Sequence, residues 1–289
     1  MNIKEAAKQM DAQRSKCRAV YLAFGIGLVA AAAMIALQQF KAAIALLILL
    51  IPFYFVFVRP EMARYKTNWR EICVRLFTED RFAPITYRYH AKAADLPELG
   101  RHTPLPLSDK GKVLVHSLVR GSRAGINVAF ADLTIPVGDG RGMTFHSGCW
   151  MAFSFDCACP APLRVQKDEV LFDGDYERWI TQSEGLVRCD APEDMPPSAA
   201  FYAPSAQQPL PADAAAPLKT LLKSMPQTGL VEIDRDGLRV FLPHRLLNRQ
   251  PPTLKNPIVE EVLSQATFPE IDDAYMLALA LKKPQAENN

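Results

Sequence analysis

Residues 19–37, AVYLAFGIGLVAAAAMIAL, and residues 42–58, AAIALLILLIPFYFVFV, contain no charged side chain. As helices rising 1.5 Å per residue they would reach about 28 and about 26 Å, against a bilayer hydrocarbon core of roughly 30 Å. No other constraint in the chain is as strong, because segments of this length and composition must be covered by protein or by lipid. We expect two transmembrane helices. A secretory signal peptide would begin the same way, since Arg14, Lys16 and Arg18 precede the first run. A signal h-region is shorter and ends at a cleavage site, whereas here a second apolar run follows at once.

Only Gln38 to Lys41 separate the two runs, so they should form an antiparallel hairpin. Lys4, Lys8, Arg14, Lys16 and Arg18 against Glu5 and Asp11 precede it; Arg59, Arg64, Lys66, Arg70 and Arg75 against Glu61 and Glu71 follow it. Basic flanks stay on the cytoplasmic side and the turn carries Lys41 alone, so both termini are expected in the cytoplasm. With both flanks at +3 and Lys41 set aside, the total of +2 leaves residues 76–289 at −5. Basic character is confined to the membrane edge, which argues against a nucleic-acid partner. The six cysteines match no familiar disulfide scaffold and suit a reducing compartment.

Ala19, Ala23, Gly27 and Ala31 recur every four residues, a small-residue stripe for close helix approach, against the second helix of the hairpin or against another copy. Pro60 suits the first turn of a new helix, and Met62, Tyr65, Trp69, Ile72, Cys73, Leu76 and Phe77 share helical spacing. An amphipathic helix over 59–80 follows. It packs on the soluble part or lies on anionic headgroups through the membrane-interface candidates Arg59, Arg64, Lys66, Trp69 and Arg70.

The period then changes. LPELGRHTPLPL is a proline-punctuated connector, and KVLVHSLV, INVAFADLTIPV, MTFHSGCWMAFSFD and PLRVQ alternate like strands of one antiparallel sheet, broken at RGSRAG and GDGRG. Residues 190–217, rich in proline, read as a long mobile loop. Beyond it come a short helix in APLKTLLKSM and a hairpin turning at Asp236-Gly237. A helix starting at Asn256-Pro257 follows, and then one opened by a Thr267/Glu270 capping box and running to Lys283. The expected division is a cytoplasmic segment 1–18, the hairpin 19–58 (19–37 and 42–58), the amphipathic helix 59–80 and a cytoplasmic α+β domain 81–289 that includes loop 190–217.

TFHSGCWMAFSFDCAC, residues 144–159, has the composition of a catalytic or metal site. Strand parity places Ser147, Cys149, Met151, Phe153, Phe155, Cys157 and Cys159 on one face and His146, Trp150 and Asp156 on the other. The cysteines then read as core residues. A Cys149 nucleophile served by His146 would need a β-bulge at Gly148; His116 is the other possible base. Cys157 and Cys159 could share a metal with Cys189 and a histidine from elsewhere in the chain. RGSRAG and GDGRG lead into no helix and read as turns. Asp132 and Asp156 are candidates for a carboxylate pair, and His244 reads as an exposed loop residue. We assign no catalytic residue, cofactor or metal from the sequence.

SLVRGSRAGINVAFADL followed by TFHSGCWMAFSF, behind a membrane hairpin, resembles a bacterial family of two-pass membrane proteins known as domain of unknown function 3137. The resemblance covers roughly residues 69–283. It implies apolar strands over 125–133 and 145–155, a helix over 216–225, a strand pair over 229–242 and a helix over 270–283. It supplies no catalytic residue. The expectation is an inner-membrane protein whose partners are the lipid bilayer and a protein partner or a second copy, with a membrane-tethered hydrolase, thiol or metal enzyme as the alternative.

Overall fold

The computed structural model describes residues 2–79, 81–96, 99, 111–137, 144–167, 176–207, 210–225, 228–265 and 267–283. The chain forms two compact units, Met1–Phe77 with Arg249–Thr267, and Thr78–Asn248 with Phe268–Asn289.

The first unit is built on two long helices. α1 (Ile3–Ala36) starts at Asn2, whose side chain accepts the Lys4 N–H at 2.9 Å. The expected cytoplasmic segment 1–18 is thus a continuous extension of the first apolar helix. α2 (Phe40–Phe53) passes through a π-helical stretch, Tyr54–Val58, into α3 (Arg59–Thr78), giving one uninterrupted helical run over Phe40–Thr78. Pro60 explains the π-stretch. It offers no N–H to the carbonyl four residues back and its ring crowds that carbonyl, and the Arg59 N–H bonds Tyr54, five residues back. Proline therefore widens the helix here instead of starting a new one.

Both helices are long and apolar enough to cross a membrane, and only 6% and 11% of their most apolar stretches are buried by the rest of the chain. Where they meet, small residues decide the approach. A side chain on Gly27 would run into Leu50 of α2, and Ala31 and Ala43 are buried, whereas Ala19 and Ala23 remain exposed. One half of the stripe therefore serves the hairpin itself.

Residues 249–267, expected in the soluble domain, join this unit. Ile258 and Leu263 pack with Ala6, Met10, Tyr65, Trp69 and Ile72. Arg14 donates to the Leu254 carbonyl at 2.8 Å, and Asp11 accepts the Ile258 N–H at 2.9 Å. The helix expected from Asn256 is short, Glu260–Ser264.

The second unit is α+β. Its antiparallel sheet, with nine strands among the described residues, is ordered β1-β2-β3-β4-β9-β8-β5-β7-β6. The strands are β1 (Thr86–Tyr89), β2 (Leu114–Arg123), β3 (Ile126–Val137), β4 (Thr144–Ser154), β5 (Leu163–Lys167), β6 (Val187–Cys189), β7 (Ala199–Ala203), β8 (Gly229–Asp234) and β9 (Gly237–Leu242). The helices are α4 (Tyr176–Glu184), α5 (Ala212–Ser224) and α7 (Pro269–Leu281); Glu260–Ser264 of the first unit is α6.

One sheet face buries Ala131, Leu133, Trp150, Leu230 and Phe241 with Ile180 and Leu186 from α4 and the turn after it. The other buries Phe130, Met151, Phe153 and Val240, and there Phe82 stacks edge-on against Phe130 and Tyr275 at centroid distances of 5.4 and 5.3 Å. The β8–β9 hairpin forms as expected, but its turn is Arg235-Asp236, one residue earlier, and Gly237 opens β9 paired with Asp234; Gly237 has φ +135°, and a side chain on it would collide with the Phe153 carbonyl.

Two expectations fail here. Residues 190–217 are not one long loop, because Ala200 to Ala203 form an apolar quartet that lets β7 pair with β5 and β6, and α5 starts at Ala212 and runs through Pro217. The Thr267/Glu270 capping box does not open α7; its N-cap is Phe268, with Pro269 in the first turn. The GDGRG turn and most of the 96–107 connector lie outside the described residues.

Candidate functional site

The β3–β4 register runs without a shift from Asn127↔Ser154 to Val137↔Thr144, so Gly148 does not bulge. It is glycine for another reason: a side chain there would collide with the Leu242 carbonyl and the Phe241 ring. Parity therefore holds through β4, and His146 and Cys149 face opposite sides. His146 pairs with Thr144, Oγ1 to Nε2 3.0 Å. Cys149 is fully buried, and burial, then the Asp132 charge, push its thiol well above the usual range. A nucleophile needs the opposite shift.

Cys157 and Cys159 lie beyond the end of β4, both buried; the Cys159 N–H donates to Cys157 Sγ at 3.4 Å, and burial raises both thiols, Cys159 to about 11. Among the described residues no group of three or more His, Cys, Asp or Glu could hold a metal ion. Cys189 is also a free, buried thiol. Asp132 and Asp156 do not pair. Asp132 stands opposite Cys149, while Asp156 lies two residues past Ser154. The offset, about seven residues or roughly 24 Å at strand rise, is far beyond the ~10 Å limit for a working pair. Asp156 is exposed and meets Lys283 Nζ at 3.0 Å. His244 is half-buried with its Nε2 3.9 Å from Glu270, not an open loop residue.

A bulge does occur, in β2 and not at Gly148. Pairing steps from Val115↔Leu133 to Ser117↔Asp132, so His116 is the extra residue, and the irregularity re-aims its ring. His116 Nε2 lies 2.9 Å from Thr134 Oγ1, which is 3.0 Å from Ser147 Oγ on the next strand. Arg245, from the segment after β9, brings Nη2 to 2.8 Å from His116 Nε2, 3.0 Å from Thr134 Oγ1 and 3.2 Å from Ser147 Oγ. Burial, then Arg245 and His90, pull the His116 imidazole below its ordinary value. Because Nε2 accepts from Arg245, His116 is neutral there and its lone pair is engaged, so it cannot serve Cys149 as a base in this arrangement.

Asp132 adjoins this cluster. It is completely buried; its Oδ1 accepts the Leu246 and Leu247 N–H groups at 3.0 and 3.2 Å, and Oδ2 has no hydrogen-bond partner. Burial pushes its carboxyl up to about 6 despite those amides and Arg245. On the opposite face a second polar group crosses three strands: Glu232, fully buried, lies 2.6 Å from Arg164 and 3.4 Å from Arg239. Arg239 also holds Asp234 at 2.5 Å and Arg164 holds Glu184 at 3.1 Å. Burial outweighs both cations and lifts Glu232 to about 7.

Of the membrane-interface candidates, Arg59, Arg64 and Lys66 are exposed and Arg70 is half-buried. Trp69 is not at a surface. At 4% exposure it belongs to the core with Met10, Tyr65 and Ile258, because residues 249–267 cover the helix face it occupies.

No family model matches the chain, and neither a curated protein nor a solved structure is significantly similar to it.

Proposed function

We propose that the protein is an integral protein of a bacterial inner membrane, both termini cytoplasmic, whose α+β unit binds a protein partner or a second copy. The observation that carries the reading is the pair of long apolar helices whose surfaces the rest of the chain leaves uncovered. Folding in water would expose Tyr21, Leu22, Ile26, Ile48, Leu49 and Ile51 together, a patch far beyond what a water-soluble monomer shows. The order of hairpin then α+β unit is also that of the two-pass family the sequence resembles, and membership in it is part of this proposal. Alkaline carbonate extraction of membranes expressing the full chain tests the anchor: retention in the pellet is expected, and release as folded protein refutes it. Cross-linking in the membrane, read as a discrete higher band, tests assembly; an exclusively monomeric band with no co-purifying protein removes that half.

A second reading, affinity for anionic lipid, has its own support. Lys16 Nζ meets Glu61 Oε1 at 2.8 Å, which sets α1 and α3 in register just outside the apolar runs. Exposed Arg18 and Arg59 then stand about 3 Å nearer the apolar runs than that pair and Arg64 and Lys66 about 5 and 8 Å farther out, and the nearby acid, Glu61, is held by Lys16 and Arg64. Salt-sensitive preference for anionic over zwitterionic nanodiscs is the expected result.

A further inference from the structure

The cluster of His116, Thr134, Ser147 and Arg245 has more hydrogen-bond donors than it can use. A guanidinium carries five N–H groups. In Arg245 a single nitrogen, Nη2, faces all three acceptors, and those are neutral: an imidazole nitrogen and two hydroxyls. Nε is buried with no acceptor. Among the described residues Nη1 has no acceptor and the guanidinium makes no ion pair. Asp132, whose charge interacts with Arg245, has one oxygen turned to the Leu246 and Leu247 amides, so it offsets the charge in part.

The hydroxyls show the same surplus. Thr134 and Ser147 lie 3.0 Å apart on adjacent strands, so one donates to the other and a hydroxyl proton is left over. Ser147 is exposed and Arg245, Thr134 and His116 are half-buried, so the cluster is open on one side. A half-buried cation with free N–H groups beside two hydroxyls is the donor set that oxyanions take, and donors from separate strands suit a tetrahedral group better than a planar carboxylate.

We propose that His116, Thr134, Ser147 and Arg245 form a binding site for a phosphoryl group, as free phosphate or a phosphate monoester. Thr134 donates to Ser147, and Arg245 Nη1 and the exposed Ser147 hydroxyl donate to the phosphoryl oxygens. Neutral His116, set by the β2 bulge, accepts from Nη2 and fixes the guanidinium plane. The site is independent of the anchor reading, which membrane extraction tests separately.

The test uses the full chain in a neutral detergent, titrated with inorganic phosphate and, in parallel, acetate, with calorimetry and 31P line broadening as readouts. Saturable phosphate binding without acetate binding is expected, abolished in Arg245→Gln and weakened at least about tenfold in Ser147→Ala. A second arm compares nanodiscs of phosphatidylcholine with and without phosphatidic acid, whose headgroup is a phosphate monoester. Binding confined to that arm, and lost in Arg245→Gln, assigns the phosphoryl group to a lipid. No binding in either arm, or equal binding by Arg245→Gln, overturns the proposal. Should Arg245→Gln fail to fold by circular dichroism, Ser147→Ala at its exposed position decides, and unchanged affinity there overturns it.

Discussion

Asp132→Asn should flatten the pH dependence of stability. The Asp132 carboxyl titrates near 3.8 in an ordinary setting and is pushed up to about 6 by burial in the fold. The native state therefore holds this proton more tightly than the unfolded chain. The stability it contributes is complete below about pH 3.8 and lost as pH rises through about 6. Two pKa units correspond to about 3 kcal/mol, and for a unit of this size 1 kcal/mol moves Tm by about 2–4 °C, so this group alone should lower Tm by roughly 6–12 °C between pH 4 and pH 8. Asparagine keeps an oxygen for the Leu246 and Leu247 amides but cannot ionise. Its amide also meets the unpartnered Oδ2 position, so the readout is the slope and not the offset. Thermal unfolding of the full chain in detergent, followed by tryptophan fluorescence, gives Tm against pH for both proteins. Parallel curves would refute the reasoning.

Glu232→Ala leaves Arg164 and Arg239 buried, each with one remaining acid, and should cost about 3 kcal/mol, seen as a Tm drop of roughly 6–12 °C at pH 8. Gly148→Ala forces a side chain into the Leu242 carbonyl where β4 meets β9 and should cost about 1–3 kcal/mol, measured in the same assay. Cys149, Cys157 and Cys159 should resist a thiol reagent in the folded protein and react on unfolding; fast labelling of Cys149 in the native state would revive it as a nucleophile. Gly27→Leu should loosen the hairpin against Leu50, read as faster proteolysis of detergent-solubilised protein.

What the sequence revealed depended on how local the cause was. The apolar runs, the β4 parity and the β8–β9 hairpin are properties of short segments, and the structure has them, the hairpin turn falling one residue earlier than expected. That turn also pairs Glu232 with Arg239, a cross-strand ion pair that could have been read from the hairpin alone. Long-range packing was not legible. Nothing near Trp69 announces that residues 249–267 will cover it, and proline content hid the apolar quartet of β7. The His116–Arg245 cluster joins residues more than a hundred positions apart through a β2 bulge that alternation alone does not reveal.

The anchored hairpin is tested most directly by labelling with a membrane-impermeant maleimide in intact spheroplasts of bacteria expressing the full chain. Gln39 lies exposed at the turn between the two helices, and Lys4 lies exposed near the start of α1. The account predicts that Gln39→Cys is labelled in intact spheroplasts and Lys4→Cys only after lysis. Protection of Gln39→Cys until lysis, with the protein recovered outside the membrane fraction, would contradict it.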